Sequence, residues 1–480
     1  MQFYAQNIKS GNRSSFSFNF PPQVDQVLHR LPIRTKVLVG ILMVSFESMT
    51  LTCTRADQTV AVKTTAATSA VETTIVLNDD GHYTLMRDGK PYFIYGAGGS
   101  EHLDVLVEHG GNSIRTWGIE SLEQQVDGVA LLDRCEALGI TVCVGLWIGH
   151  ERHGFNYRDP VQLDQQREAV RQAVRKYKDH PAVLMWGLGN EMEGPDSNEP
   201  TPHIWKELDQ LASIIREEDQ SHPIMTVIAG SSPVKVKGIL EDYSNVDILG
   251  VNSYAAASSV ASEIQAAGWK KPFVLTEFGP SGHWEVPTTS WGAAIEPKSR
   301  EKAASYYVTQ TMLIEDAKAI CLGSYCFVWG QKQEKTSTWY GMFLPTGEKL
   351  PQVDAISRAW TGKWPTNRCP RVDPIQCEFV NATVAPGVLV KAKLPAVDPN
   401  EDSMTWQWIV QAESTAASVG GDREPVPPIF EECIIGQDGD EVTLRTPAQP
   451  GNYRLFAIVR DGRGGAAAEN VCFQVTGVSK

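Results

Sequence analysis

Short apolar runs alternate with amphipathic stretches through the middle of the chain. Residues 183–191, Val183-Leu-Met-Trp-Gly-Leu-Gly-Asn190-Glu191, stay apolar to Gly189 and then end in an amide and a carboxylate. Residues 272–279, Pro272-Phe-Val-Leu-Thr-Glu277-Phe-Gly, repeat the design with Glu277 at the end. Runs of this length, bounded by polar or turn residues, predict strands buried on both faces, as in a parallel sheet. Similar runs at 92–97, 112–117, 140–147, 224–229, 247–254 and 322–329 bring the number of strands to eight. Helical periodicity falls between them. Residues 121–138 place Val126, Val129, Cys135 and Leu138 on one face, with Ser121 and Gln124 spaced as a capping box and Gly139 where a helix stops. Residues 160–177 start at Asp159-Pro160. Further helices are expected at 204–216, at a stretch ending near 268, at 299–320 and at 353–360.

Strands alternating with helices predict an α/β fold, a (β/α)₈ barrel over residues 75–365, entered through short strands and turns at 75–91. Beyond it the pattern changes. Residues 366–374 carry two prolines and three charges and read as a linker. Residues 375–480 hold short β-like runs at 387–392, 405–410, 441–444 and 453–459, which predicts a small all-β, immunoglobulin-like sandwich.

Residues 1–56 read as an N-terminal extension with an export signal. Arg30, Arg34 and Lys36 precede an apolar run at 37–46, too short for a membrane span, which takes about 20 residues. Cys53 is a candidate lipid-attachment site. Residues 57–74, rich in Thr, Ala and Val, suit a tether. The chain is thus expected to be exported, with no membrane span.

Composition narrows the function. Of 480 residues 42% are hydrophobic, and the net charge is −14 with its acids dispersed. Basic clusters that would track nucleic acid are missing. Thirteen tryptophans supply flat apolar faces of the kind that lie under pyranose rings. Of the nine cysteines, Cys135, Cys143, Cys321 and Cys326 read as buried apolar residues. Cys369, Cys377, Cys433 and Cys472 can form two bridges in an exported protein, with the pairing left open. No Cys/His spacing resembles a zinc site, no cofactor is expected, and oligomeric state is left open.

The active side of a (β/α)₈ barrel is at the C-terminal ends of its strands, which is where Glu191 and Glu277 fall. Two facing carboxylates are what breaking a glycosidic bond needs. One protonates the leaving oxygen, and the other attacks the anomeric carbon or activates a water. Arg115 sits in an otherwise apolar strand and needs a buried partner. Among the tryptophans after strand ends or in long loops (Trp117, Trp147, Trp284, Trp291 and Trp339), Trp147 and Trp284 are the expected sugar platforms. His150, in the polar loop His150-Glu-Arg-His153, is a candidate substrate contact. The long aromatic loop 279–296 is expected to shape the cleft.

Trp-Gly-Leu-Gly-Asn-Glu191 and Leu-Thr-Glu277-Phe-Gly resemble the two signatures of the clan A retaining glycoside hydrolases, and over residues 75–365 the chain is most similar to the family 2 barrel. No β-domains of the family 2 kind precede the barrel here. The resemblance implies Glu191 as acid/base, Glu277 as nucleophile, Asn190 as holder of the sugar 2-hydroxyl, and Arg115 and Tyr254 as partners of the nucleophile. It implies Trp329 as the aromatic floor of the sugar site. The tail resembles PKD or cadherin-like sandwiches, where Asp398, Asp402 and Asp461 are either turn residues or calcium ligands. The expected function is retaining hydrolysis of β-linked oligo- or polysaccharides. A transglycosidase uses the same residues and stays open, as does a non-catalytic carbohydrate-binding barrel. A metal-dependent hydrolase is disfavoured, because its strand ends would carry His/Asp clusters.

Overall fold

In the computed structural model, which describes residues 70–194, 199–416 and 421–477, the eight apolar runs form a closed parallel barrel. Its strands are β1 (Ile94–Gly98), β2 (Ser113–Arg115), β3 (Thr141–Leu146), β4 (Val183–Leu188), β5 (Ile224–Ala229), β6 (Ile248–Asn252), β7 (Phe273–Phe278) and β8 (Cys321–Cys326). They pair in chain order, and β8 returns to β1. Every residue of β3, β4, β7 and β8 is buried, because helices cover the outside while side chains fill the lumen. The helices are α1 (Leu103–Glu108), α2 (Leu131–Leu138), α3 (Pro160–Tyr177), α4 (Pro202–Glu218), α5 (Pro233–Asp242), α6 (Val260–Ala266), α7 (Ser299–Glu315) and α8 (Pro351–Thr361). Asp159 caps α3 by accepting from the Val161 amide at 3.0 Å. No helix among the described residues is long and apolar enough to cross a membrane.

One expected helix fails and one helix was not expected, each for a physical reason. Residues 121–138 are not one helix. A small hairpin, Gln125–Val126 with Val129–Ala130, turns at Asp127-Gly128, both at positive φ, and only α2 follows. An Asp-Gly pair is a hairpin turn of the kind that matches strand twist, and here it overrides the apolar period. Val126 and Val129 are accordingly exposed, and the Ser121 hydroxyl bonds the Gly118 carbonyl instead of closing a capping box. Helix α5 has no clear sequence signal because Gly238 interrupts it. A Cβ there would lie 2.6 Å from the Trp205 indole nitrogen of α4, so the glycine permits close helix packing.

A three-stranded sheet (Thr73–Leu77, Tyr83–Arg87, Lys90–Tyr92) closes the N-terminal end of the barrel. Leu85 joins the lumen cluster of Leu184, Met225, Ile248 and Leu322, and the Tyr83 and Thr73 amides bond the Ala319 and Ser221 carbonyls. Access is thereby left to the opposite end.

The tail is a sandwich of two four-stranded sheets. Its longest pair, Gly451–Arg460 with Ala466–Val475, is buried on both faces. Alternate residues Tyr453, Leu455, Ala457 and Val459 fill the sandwich core, whereas Ile458, Ala466 and Ala468 pack on Leu344 and Leu350 of the barrel side. Polar groups complete the junction. Arg454 donates to the Ala294 carbonyl (2.5 Å), to Glu413 (2.8 Å) and to Asn470 (2.8 Å), and Asn470 donates to Glu296 (2.6 Å), which also takes Lys302 (2.6 Å).

The two bridges expected in the tail do not form. Cys369, Cys377, Cys433 and Cys472 are all free thiols. Cys369 sits against the Lys349 carbonyl and Cys472 against that of Ala294, so the chain packs them on the barrel side rather than on each other. Asp398 and Asp461 brace turns: Asp398 accepts from the Asn400 and Asp402 amides, Asp461 from those of Arg463 and Gly465. The export signal at 37–46 and Cys53 lie outside the described residues.

Arg454 is nearly inaccessible and forms an ion pair with the part-buried Glu413. Arg454→Ala is therefore expected to destabilise the protein by about 3–5 kcal/mol, the usual cost of stranding a buried charge. Urea unfolding of the purified variant measures it, and a loss under about 1 kcal/mol would refute the assignment.

Candidate active site

Glu277 lies near the end of β7 with its side chain in the barrel mouth, and three donors surround it. Arg115 Nη1 donates to Oε1 at 2.9 Å, Trp117 Nε1 donates to the same oxygen at 2.9 Å, and the Tyr254 hydroxyl donates to Oε2 at 3.1 Å. Arg115 and Glu277 form an ion pair whose side chains are 2% and 8% exposed. Arg115 is held from two more sides, by the Thr276 carbonyl (3.2 Å) and by Asn190 Oδ1 (2.6 Å). Burial and the Glu277 charge push the Tyr254 phenol well above its usual range, so it remains a donor.

Glu191 reaches the same space by a turn after β4. Gly189 has φ +75°, and a Cβ there would lie 2.8 Å from Met192 Cγ. Glu191 itself takes φ +51°, a left-handed conformation that a side chain rarely adopts. Its amide bonds the Val227 carbonyl at 2.9 Å, which fixes the turn against β5. Asn252 of β6 donates to Glu191 Oε1 at 2.8 Å and also to Asn190 Oδ1 at 3.2 Å, and is itself set by Thr276. With its Oδ1 taken by Arg115 and Asn252, Asn190 turns its NH₂ away from both.

The two carboxylates differ in solvation. Burial raises the Glu191 pKa to about 7, the negative charges of Glu277 and Glu193 add to the rise, and the Asn252 hydrogen bond and the Lys235 charge oppose it. Glu191 is thus built to hold a proton near neutrality, beside a carboxylate paired with Arg115.

Of the residues expected from sequence, the structure brings together Glu191, Glu277, Asn190, Arg115 and Tyr254. Trp284 is exposed at the mouth and edges onto Tyr254 at 5.7 Å between ring centroids. Trp147 is exposed just beyond β3, with the His150 ring 4.9 Å away. His150 is buried, and its pKa is lowered to about 4 by burial and by Arg152 and His153, which keeps the imidazole neutral. Among the described residues, no hydrogen bond or ring contact joins Trp147 or His150 to the carboxylates.

Trp329 is not a sugar floor. It is 1% exposed, its indole donates to the His102 carbonyl, and it packs on Phe343 and Trp360 inside the core. The aromatic wall is made instead by Trp117, Tyr254 and Phe327, with Phe327 edge-on to both at 5.9 and 6.0 Å. Sequence reading missed Trp117 and Asn252 as site residues. Trp117 lies two positions after Arg115, on the same side of the extended chain, which was a usable signal. Asn252 carried a weaker one, as the first polar residue after the apolar run of β6.

Residues 103–289 match the family model described as "Glycosyl hydrolases family 2, TIM barrel domain". That span holds Arg115, Asn190, Glu191, Tyr254 and Glu277. The chain is similar to human β-glucuronidase, 25% identical over 191 residues, which are 35% of this chain and 26% of that protein. It is also similar to β-galactosidase of Oenococcus oeni, 26% identical over 120 residues, 25% of this chain and 11% of that one. It therefore spans only a minor part of the curated relatives it matches. Among solved structures, a calcium-binding mutant of Bacteroides uniformis β-glucuronidase 2 aligns with a TM-score of 0.45 and 15% identity, covering 85% of this chain and 48% of that one.

Because the folded state raises the Glu191 pKa from 4.5 to about 7, it holds a proton there that the unfolded chain releases. Stability from this group is present at low pH and is lost as pH rises through that window. Glu191→Gln removes the titration. Its stability relative to wild type should rise between pH 4.5 and pH 8, as read by chemical unfolding at both. A constant difference at the two pH values would show that Glu191 carries no raised pKa.

Proposed function

We propose that the protein is a retaining β-glycosidase. Glu277 attacks the anomeric carbon and Glu191 first protonates the leaving oxygen, then activates the acceptor. The observation that carries this reading is the unequal pair. Glu277 is ion-paired with Arg115 and triply held by Arg115, Trp117 and Tyr254, while Glu191 is desolvated, with its pKa raised to about 7. A nucleophile must be aimed, and a general acid must hold its proton at working pH. The Glu277 hydrogen bonds position the attacking oxygens.

Asn190 sits between the two carboxylates, and its outward NH₂ is placed to donate to a sugar hydroxyl. Trp117, Tyr254 and Phe327 offer apolar faces to the ring. Trp147 and Trp284 extend the aromatic surface outward, and neutral His150 supports that outer rim. The names of the relatives make β-glucuronides and β-galactosides the first substrates to try. The intact, mutually braced pair speaks against a non-catalytic barrel. Export belongs to the proposal too, on the strength of the basic and apolar sequence at 30–46. The free thiols of the tail lend it no support.

Glu277→Ala should reduce turnover to background. Glu191→Ala should cost about 10²–10⁴-fold on alkyl glycosides. The loss should be far smaller on nitrophenyl glycosides, whose leaving group needs no proton. Proton NMR of the wild-type reaction should show the β-anomer released first. An α-anomer released first would make the mechanism inverting. Products longer than the substrate would make the enzyme a transglycosidase.

A further inference from the structure

The sandwich does more than follow the barrel. It reaches the barrel mouth, where His153 after β3 lies 3.5 Å from Asp422, Lys332 after β8 donates to the Gly421 carbonyl, and the Lys335 amide donates to Glu424 at 2.9 Å. Beside these contacts a cavity of about 410 Å³ lies between the β7–α7 loop and the sandwich. That size falls within the range of small-molecule sites. Its barrel wall includes His283, Thr288 and Trp291, and its sandwich wall includes Thr415, Phe430 and Asn452.

This lining is mixed in a particular way. Aromatic rings stand beside hydroxyls and an amide, a surface that can stack against the C–H face of a pyranose and bond its hydroxyls. Of the charged groups at its edge, Lys335 Nζ donates to the Ala416 carbonyl at 3.0 Å, and Glu413 accepts from Arg454 through Oε1 alone, which leaves its buried Oε2 to accept from a ligand hydroxyl. What remains suits a neutral polyhydroxylated ligand.

The cavity is also tied to the reacting carboxylates through rings. Tyr254 bonds Glu277, Trp284 stands edge-on to Tyr254 at 5.7 Å, and His283 stands edge-on to Trp284 at 4.9 Å and lines the cavity. A second tie runs through Tyr340, which lies 5.5 Å from Tyr254 and whose hydroxyl accepts from the His283 amide. A chain of sugar rings leaving the glutamate pair along this wall arrives at the junction.

We propose that the barrel–sandwich cavity is a distal subsite that holds a neutral sugar ring of an extended substrate, beyond the unit whose bond is cleaved. The inference rests on the glycosidase reading above. It makes the substrate an oligosaccharide or longer glycan, and it makes the sandwich part of the substrate site.

Thr415 and Thr288 are exposed and stand on opposite walls, so tryptophan at either fills the space without touching a core. The probes are nitrophenyl β-glucoside, β-galactoside and β-glucuronide as one-ring substrates, and β-linked gluco- and galacto-oligosaccharides of four rings. In both Thr415→Trp and Thr288→Trp, the ratio of kcat/KM for four-ring over one-ring substrates should fall about tenfold or more, equivalent to about 1.4 kcal/mol of lost transition-state binding. A ratio unchanged in both variants overturns the subsite and leaves the glycosidase reading standing. If the wild type turns over none of the probes, the glycosidase reading is what fails. The cavity is then judged by saturation-transfer NMR with the four-ring sugars. Contacts seen in wild type and lost in both variants support the cavity, and contacts absent from wild type or undiminished in the variants overturn it.

Discussion

A guanidinium buried across the barrel mouth sets the terms for everything around it. Arg115 cannot shed its charge, and it is 2% exposed, so it must be answered by a carboxylate in place. Glu277 is that carboxylate, paired with Arg115 at 2.9 Å. Its charge then falls on Glu191, which burial has already deprived of water, and the two effects together keep a proton there. On the reading proposed above, the division of roles between the two glutamates follows from where one arginine sits. Closure of the barrel puts it there: Arg115 is on β2 and Glu277 on β7, with β1 and β8 between them, and only a closed sheet brings their side chains within a hydrogen bond across the lumen.

The parts of this arrangement that were legible in the sequence are those that follow from burial. A glutamate or arginine ending an apolar strand is anomalous in isolation, so Glu191, Glu277 and Arg115 stood out without coordinates. The eight strands were legible for the same reason, since strands covered on both faces are continuously apolar. What the sequence hid was decided by partners distant along the chain. Trp329 and Trp117 look alike as tryptophans at strand ends. One is turned inward against Phe343 and Trp360, the other toward Glu277, and the spacing of Trp117 from Arg115 is the one local hint of the difference. Ala466-Ala-Ala-Glu carries helix-forming residues, yet it is strand because ten residues of Gly451–Arg460 pair with it and the barrel covers its other face. At Asp127-Gly128 the error ran the other way, where local turn chemistry won over a helical period that had little core to bury.

The junction between barrel and sandwich adds buried polar bonds to an apolar cluster, and the polar part bears on the site. The loop between β7 and α7 covers residues 279–298, a length at which loops without their own secondary structure are usually mobile. Here it is anchored from outside. Arg454 bonds the Ala294 carbonyl, Asn470 bonds Glu296, and Glu469 takes the Ser299 amide at 2.7 Å. An apolar patch would have held the same surfaces together with little preference for register. Directional bonds to one carbonyl, one carboxylate and one amide allow a single placement of the loop. Because that loop carries Trp284, whose ring stands against Tyr254, and Tyr254 in turn bonds Glu277, packed side chains connect the sandwich to Glu277. On the reading proposed above, the sandwich then helps to position the attacking carboxylate as well as to bind substrate, and a chain keeping the barrel alone would retain both glutamates without that brace.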